Sequence, residues 1–145
     1  MRPSPRVCLV LWVGLIMLAV VPWADFQNHT HWWRVQWVPF VTPPIKIVDV
    51  LINVLLYMPF GYWFVEQRPT KGGRVWRAVA AAAAISLATE YTQLYSHQRF
   101  PSLTDVTNNV LGTWIGAQLA SRKSQVASLK AQVSRINSQV SHLEP

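Results

Sequence analysis

The stretches Asp49-Val50-Leu51-Ile52-Asn53-Val54-Leu55 and Asp105-Val106-Thr107-Asn108-Asn109-Val110-Leu111 repeat one phrase, D-V-x-x-N-V-L. Each begins a segment that is otherwise apolar. A carboxylate in a membrane segment costs roughly 2.5–3.5 kcal/mol on insertion scales, so it marks a functional-site candidate by default. Glu90 lies in another apolar run, with Gln93 three residues on. Three of the six acids in the chain are therefore placed where charge is expensive.

Working outward, the apolar segments are 7–24, 47–65, 78–96 and 103–120. Each approaches the roughly 20 residues that a spanning helix needs. The expected fold is an all-α membrane protein: a four-transmembrane-helix bundle over residues 1–122, then a tail over 123–145. The first segment reads as a retained helix. Val21-Pro22-Trp23-Ala24 is a poor small-x-small site for a signal peptidase. The fourth segment is weakened by Asp105, Asn108 and Asn109 and needs its neighbours to be held.

The tail changes period. Val126, Leu129, Val133, Ile136, Val140 and Leu143 alternate spacings of 3 and 4, an a/d seam over three heptads. It reads as an amphipathic helix on the membrane or bundle, as a coiled coil that would make the chain a homo-oligomer, or as a disordered segment.

Charge sets orientation. Of thirteen Lys and Arg, ten fall at the N-terminus (Arg2, Arg6), between the second and third segments (Arg68, Lys71, Arg74, Arg77) and in the tail (Arg122, Lys123, Lys130, Arg135). Only Arg34, Lys46 and Arg99 fall on the other side. Cytoplasmic loops carry the excess of basic residues, so both termini are expected inside. The formal charge of +7 thus reflects topology and anionic lipid, not nucleic acid, as partner. The single Cys8 excludes an internal disulfide and a cysteine zinc cage.

This topology puts the polar residues at the outer end. Asn53 and Asn109 lie one turn below Asp49 and Asp105 on the same helix faces. Gly112 and Gly116 continue the second stripe as G-x-x-x-G, a spacing that lets helices approach closely. Ser86, Glu90, Gln93 and His97 form one stripe on the third segment. Arg99 is the nearby cation and is expected to pair with one acid. The same residues have plainer uses. Asn53, Asn109, Ser86 and Gln93 can join helices by hydrogen bonds, and Asp49 and Asp105 can cap helix starts. The outer loop His31-Trp32-Trp33-Arg34-Val35-Gln36-Trp37 reads as an interfacial anchor, or as a contact surface for an amphiphile. Pro39, Pro43 and Pro44 make an extended lead into the second segment. An oxygen-rich cluster can take a hard cation, but nothing in the spacing demands one. No metal or cofactor is expected.

The run Asp49-x3-Asn53-x5-Pro59-Phe60-Gly61, then Glu90-x2-Gln93, Arg99 and Asp105-x3-Asn109-x2-Gly112-x3-Gly116, resembles the VanZ-like family of small bacterial membrane proteins over about residues 45–120. The resemblance implies a multi-pass protein of the bacterial plasma membrane. It assigns to Asp49, Asn53, Glu90, Gln93, Arg99, Asp105 and Asn109 whatever ligand-binding role the family has. The family is named for a glycopeptide-resistance accessory protein, so a lipid-linked cell-wall intermediate or a glycopeptide is the implied ligand. Three functions stay open. One is a non-catalytic binder of such a ligand. Another is a membrane enzyme acting on a lipid headgroup with Glu90 as general acid or base. The third is a scaffold that recruits a partner through its tail. No nucleophile motif, His-rich metal motif or phosphate loop favours a particular reaction.

Overall fold

The structure is a computed structural model that describes residues 3–41, 46–67 and 73–141. Arg2, Pro43, Pro44, Arg68, Lys71 and Leu143, used above for orientation, the lead-in and the heptad seam, lie outside the described residues. Among the described residues four α-helices follow one another: α1 (Pro5–Val20), α2 (Ile47–Glu66), α3 (Arg74–Gln93) and α4 (Leu103–Ser141). A single 3-10 turn, Trp32–Arg34, interrupts the loop between α1 and α2. Among the described residues there is no strand, only an isolated bridge between Gln36 and Ser102.

The helices differ from the four apolar segments in instructive ways. α1 is capped by Ser4, whose hydroxyl accepts the Val7 N–H, and has Pro5 at its first position. It stops at Val20 instead of residue 24, because Pro22 drives Val21 into extended backbone. α3 starts at Arg74, earlier than residue 78, and ends at Gln93, with Leu94 to Ser96 folded into a turn. Gly73 precedes it at φ 84°, a conformation that suits glycine. The largest difference is α4. The fourth apolar segment and the tail form one uninterrupted helix of 39 residues. Its tail half exposes Val126, Leu129, Val133 and Ile136, so the seam is present as an open stripe.

Among the described residues one helix, α2, is long and apolar enough to cross a membrane by length and composition. α1 is a shorter apolar helix of 16 residues, about 24 Å long at 1.5 Å per residue. α2 keeps its course through Pro59, which cannot donate its backbone nitrogen within the helix.

α2 and α4 run side by side in the same direction, and glycines set their separation. A Cβ at Gly61 would overlap the Thr113 carbonyl, one at Gly112 the Val54 carbonyl, and one at Gly116 the Met58 carbonyl. The G-x-x-x-G expectation is therefore met at backbone level. α3 lies antiparallel to α4 and gives it a small-residue face: Ala78, Ala82 and Ser86 are all fully buried. α1 packs on the far side of α2. Ile16 joins Tyr57, Phe60 and Ala82 in one core cluster. The Trp12 indole N–H donates to the Leu56 carbonyl at 2.6 Å and meets Trp63 edge-on at 5.4 Å.

Candidate functional site

Two carboxylates of the repeated phrase occupy the same place in their helices. Asp49 and Asp105 are each the third residue of a helix, in α2 and α4. Neither is a cap. Lys46 takes the cap position before α2 with no side-chain hydrogen bond, and the Ser102 hydroxyl accepts the Thr104 N–H before α4. The expected capping role is therefore corrected. A charge at the third position faces the free N–H groups of the first turn, which favour an anion.

Deeper residues join helices. Asn53 donates to Asp105 at 2.7 Å, linking α2 to α4. Asn109 donates to the Ser86 hydroxyl at 2.8 Å, linking α4 to α3. The plainer use of these amides is real. Asn108 and Asn109 are each only 2 % exposed. The Asn108 Nδ2, the Asn109 Oδ1 and the Tyr57 hydroxyl are buried without a hydrogen-bond partner among the described residues. Buried polar groups are nearly always satisfied, so this layer keeps unused hydrogen-bonding capacity.

Glu90 lies above that layer on α3 and is only 7 % exposed. One of its oxygens accepts the Ser102 N–H at 2.8 Å, which ties the end of α3 to the start of α4. Among the described residues the other oxygen accepts no hydrogen bond. Gln93 is buried beside it, one turn on. Arg99 is exposed and forms no ion pair within 4.0 Å of Glu90 or Asp105, which corrects the expected pairing. Its charge still lies close enough to act on both carboxylates. Asp49 is exposed at the same end, near enough to Asp105 for the two charges to interact.

Glu90 also borders a pocket of about 130 Å³ between α3 and the first loop. The walls are apolar: Trp32, Val35, Trp37, Leu87 and Leu94. A wider hollow of about 660 Å³ lies at the opposite end, bordered by Trp76, Trp114, Arg74 and Gln118. It holds none of the three buried-segment acids. Its Lys123 is already paired with Glu66 at 2.7 Å. That pairing, led by the hydrogen bond that Lys123 donates to Glu66, raises the Lys123 pKa.

The sequence did not reveal how firmly the first loop is stapled to the loop between α3 and α4. Gln27 and His31 donate backbone N–H groups to Tyr95 and Leu94 at 2.7 and 2.8 Å. Gln36 donates to Pro101 at 2.8 Å and accepts from Leu103 at 3.1 Å. Phe40 donates to the Thr104 hydroxyl at 3.0 Å. Arg34 donates to the His97 carbonyl and lies 5.2 Å from the Phe100 ring centre. Asp25 accepts from the Ser96 hydroxyl and the Gln98 N–H. These donors, Ser96 foremost, hold its carboxyl down to about 2. Its depressed pKa means the staple is charged above the ordinary carboxylate range and weakens only as pH falls toward 2. Asp25 stands outside the repeated phrase, and no local pattern marks it because its partners are about 70 residues away. Trp33 is 75 % exposed, and Trp32 and Trp37 more than half.

The site can therefore accept a group that is apolar along one side and hydrogen-bonding at its tip. No curated protein and no solved structure matches the chain significantly. The family model described as VanZ/LLP1 matches residues 7–124, reaching well beyond the 45–120 span of the motifs. With more than half of its length covered, the chain belongs to the VanZ/LLP1 family and is a VanZ-like protein of the cell envelope.

Proposed function

We propose that the chain is a four-pass protein of the bacterial plasma membrane, with both termini cytoplasmic, that binds an amphiphilic, lipid-linked ligand at its outer end. One observation carries the reading: a buried carboxylate, Glu90, borders an apolar, tryptophan-walled pocket. A fully polar ligand would leave those walls wet, and a pure hydrocarbon would leave the second oxygen of Glu90 without a donor. An amphiphile meets both demands. Its apolar part lies along Trp32, Trp37 and Leu94, and a hydroxyl, amine or amide reaches the free oxygen of Glu90. Arg99 is placed to attract an anionic part of the same molecule, such as a phosphate. Ligand sites of this kind are largely apolar with a few placed polar groups. A lipid-linked cell-wall intermediate fits this chemistry, and so does a lipidated glycopeptide.

The test is native mass spectrometry of the full-length protein in detergent, comparing the lipid that co-purifies with wild type and with Glu90→Gln. Retention of one amphiphile by wild type and its loss from the variant, at equal monodispersity, supports the reading. Equal retention by both sinks it.

A further inference from the structure

The strongest unassigned feature is a group of three imidazoles on the outer loops. His29 and His31 come from the first loop and His97 from the loop between α3 and α4. One ligating nitrogen of each lies within 4.8 Å of the other two. Ring centres are 4.7 Å apart for His29 and His31, 4.6 Å for His31 and His97, and 5.4 Å for His29 and His97. We infer that His29, His31 and His97 form a three-histidine site for a borderline divalent transition ion, with Zn²⁺ the reference occupant and one position left open.

The orientation of the rings argues for ligation over accidental proximity. His31 is only 3 % exposed, and its Nδ1 lies 3.0 Å from the Leu94 carbonyl oxygen. A carbonyl only accepts, so Nδ1 carries the proton and Nε2 keeps its lone pair. That is the arrangement by which backbone carbonyls orient metal-ligating histidines. His29 is turned the same way by Asn28, whose Oδ1 lies 3.0 Å from the His29 Nδ1. The His97 backbone is held by Arg34. The two loops cannot drift apart, because hydrogen bonds at Gln27, His31 and Gln36 join them on either side of the group.

Chemistry narrows the ion. Imidazole suits zinc, copper and nickel, whereas calcium and magnesium demand oxygen ligands. The group contains no carboxylate. The nearby acid, Asp25, is engaged by Ser96 and Gln98. Tetrahedral zinc with nitrogen at 2.0–2.1 Å places its donors about 3.3 Å apart. The nitrogens must therefore close by about 1.5 Å from their present 4.8 Å limit. His29 and His97 are exposed and supply this by side-chain rotation, while buried His31 stays fixed. Three protein ligands leave a fourth position for water or a ligand atom. An ion there clamps the first loop onto α3 and steadies the Trp32 wall of the Glu90 pocket.

The experiment is metal content and Co²⁺ spectroscopy on the purified full-length protein. Dialysed against Zn²⁺, it should hold one ion per chain. His29→Ala and His97→Ala should each weaken binding by at least the ~10–100-fold that loss of a mere orienting partner costs. Co²⁺ should give the visible absorption of a four-coordinate site, and His97→Cys should keep binding while adding a sulfur-to-cobalt charge-transfer band. That band distinguishes a ligand from a residue that only supports the fold. Absence of stoichiometric Zn²⁺, or binding undiminished in the His29→Ala/His97→Ala double variant, overturns the inference. Neither result depends on whether Glu90 binds an amphiphile.

Discussion

The two copies of D-V-x-x-N-V-L begin at the same helical position and end in different surroundings. In the first copy Asp49, Leu51, Ile52 and Leu55 face outward. In the second, Asn108, Asn109 and Gly112 are buried, and Asp105 is half-buried. The cause is placement. α4 is packed on both α2 and α3, with Gly112 against the Val54 backbone, whereas Asp49, Leu51, Ile52 and Leu55 of α2 are exposed. Where the second copy continues with Gly112, the first has Leu56, whose carbonyl serves Trp12 of α1. Local sequence thus fixes the phase of the polar stripe. Neighbours decide whether a residue of that stripe becomes glue, site or surface.

The sharpest way to break this contrast is Gly112→Leu, which writes the first copy's residue into the second. The new side chain meets the Val54 backbone, which cannot rotate away. Overpacking of this kind should cost about 3 kcal/mol or more. The expected outcome is a steep fall in monodisperse protein on size-exclusion chromatography. Wild-type accumulation would mean that the α2–α4 crossing is looser than described.

Next comes function without stability. Glu90→Gln should release the amphiphile while the melting temperature stays level or rises, because a carboxyl that is costly to bury gives way to an amide whose oxygen can still accept the Ser102 N–H. A melting temperature that drops together with binding would make Glu90 a structural acid.

A smaller effect separates the paired amides. Asn109→Ala should destabilise by about 1–2 kcal/mol, at the upper end for hydrogen bonds within membranes, since its Ser86 partner is fully buried. Asn53→Ala should cost about 0.6 kcal/mol, the average for such bonds, because Asp105 is half-exposed and can turn to solvent. Thermal unfolding in one detergent would rank them. The reverse order would move the interior of the bundle from the second copy to the first. The least change is expected from Lys123→Gln, since its own side chain is mostly in solvent and its partner Glu66 is partly so. A clear loss of stability there would show that the Lys123 end of the bundle, and not the Glu90 end, carries the essential pairing.

What the sequence determined by itself was periodicity and cost. Apolar runs of near-spanning length dictated helices, and α2 matches its segment to within a residue. The i, i+4 spacing dictated that Asp and Asn share a face, and the small residues dictated where helices could touch. The expense of a buried charge singled out Glu90 before any neighbour was known. The tertiary structure decided what depends on contacts distant in the chain. It chose Ser86, and not Asp49, as the partner of Asn109. It set Glu90 against a Ser102 N–H and a tryptophan wall instead of an Arg99 ion pair. It joined the fourth segment to the tail, because no proline or glycine stands between Gly116 and Ser141 to stop a helix. It also gathered His29, His31 and His97, which no spacing rule links, because the α1–α2 and α3–α4 loops are hydrogen-bonded to each other only once the helices beneath them have packed.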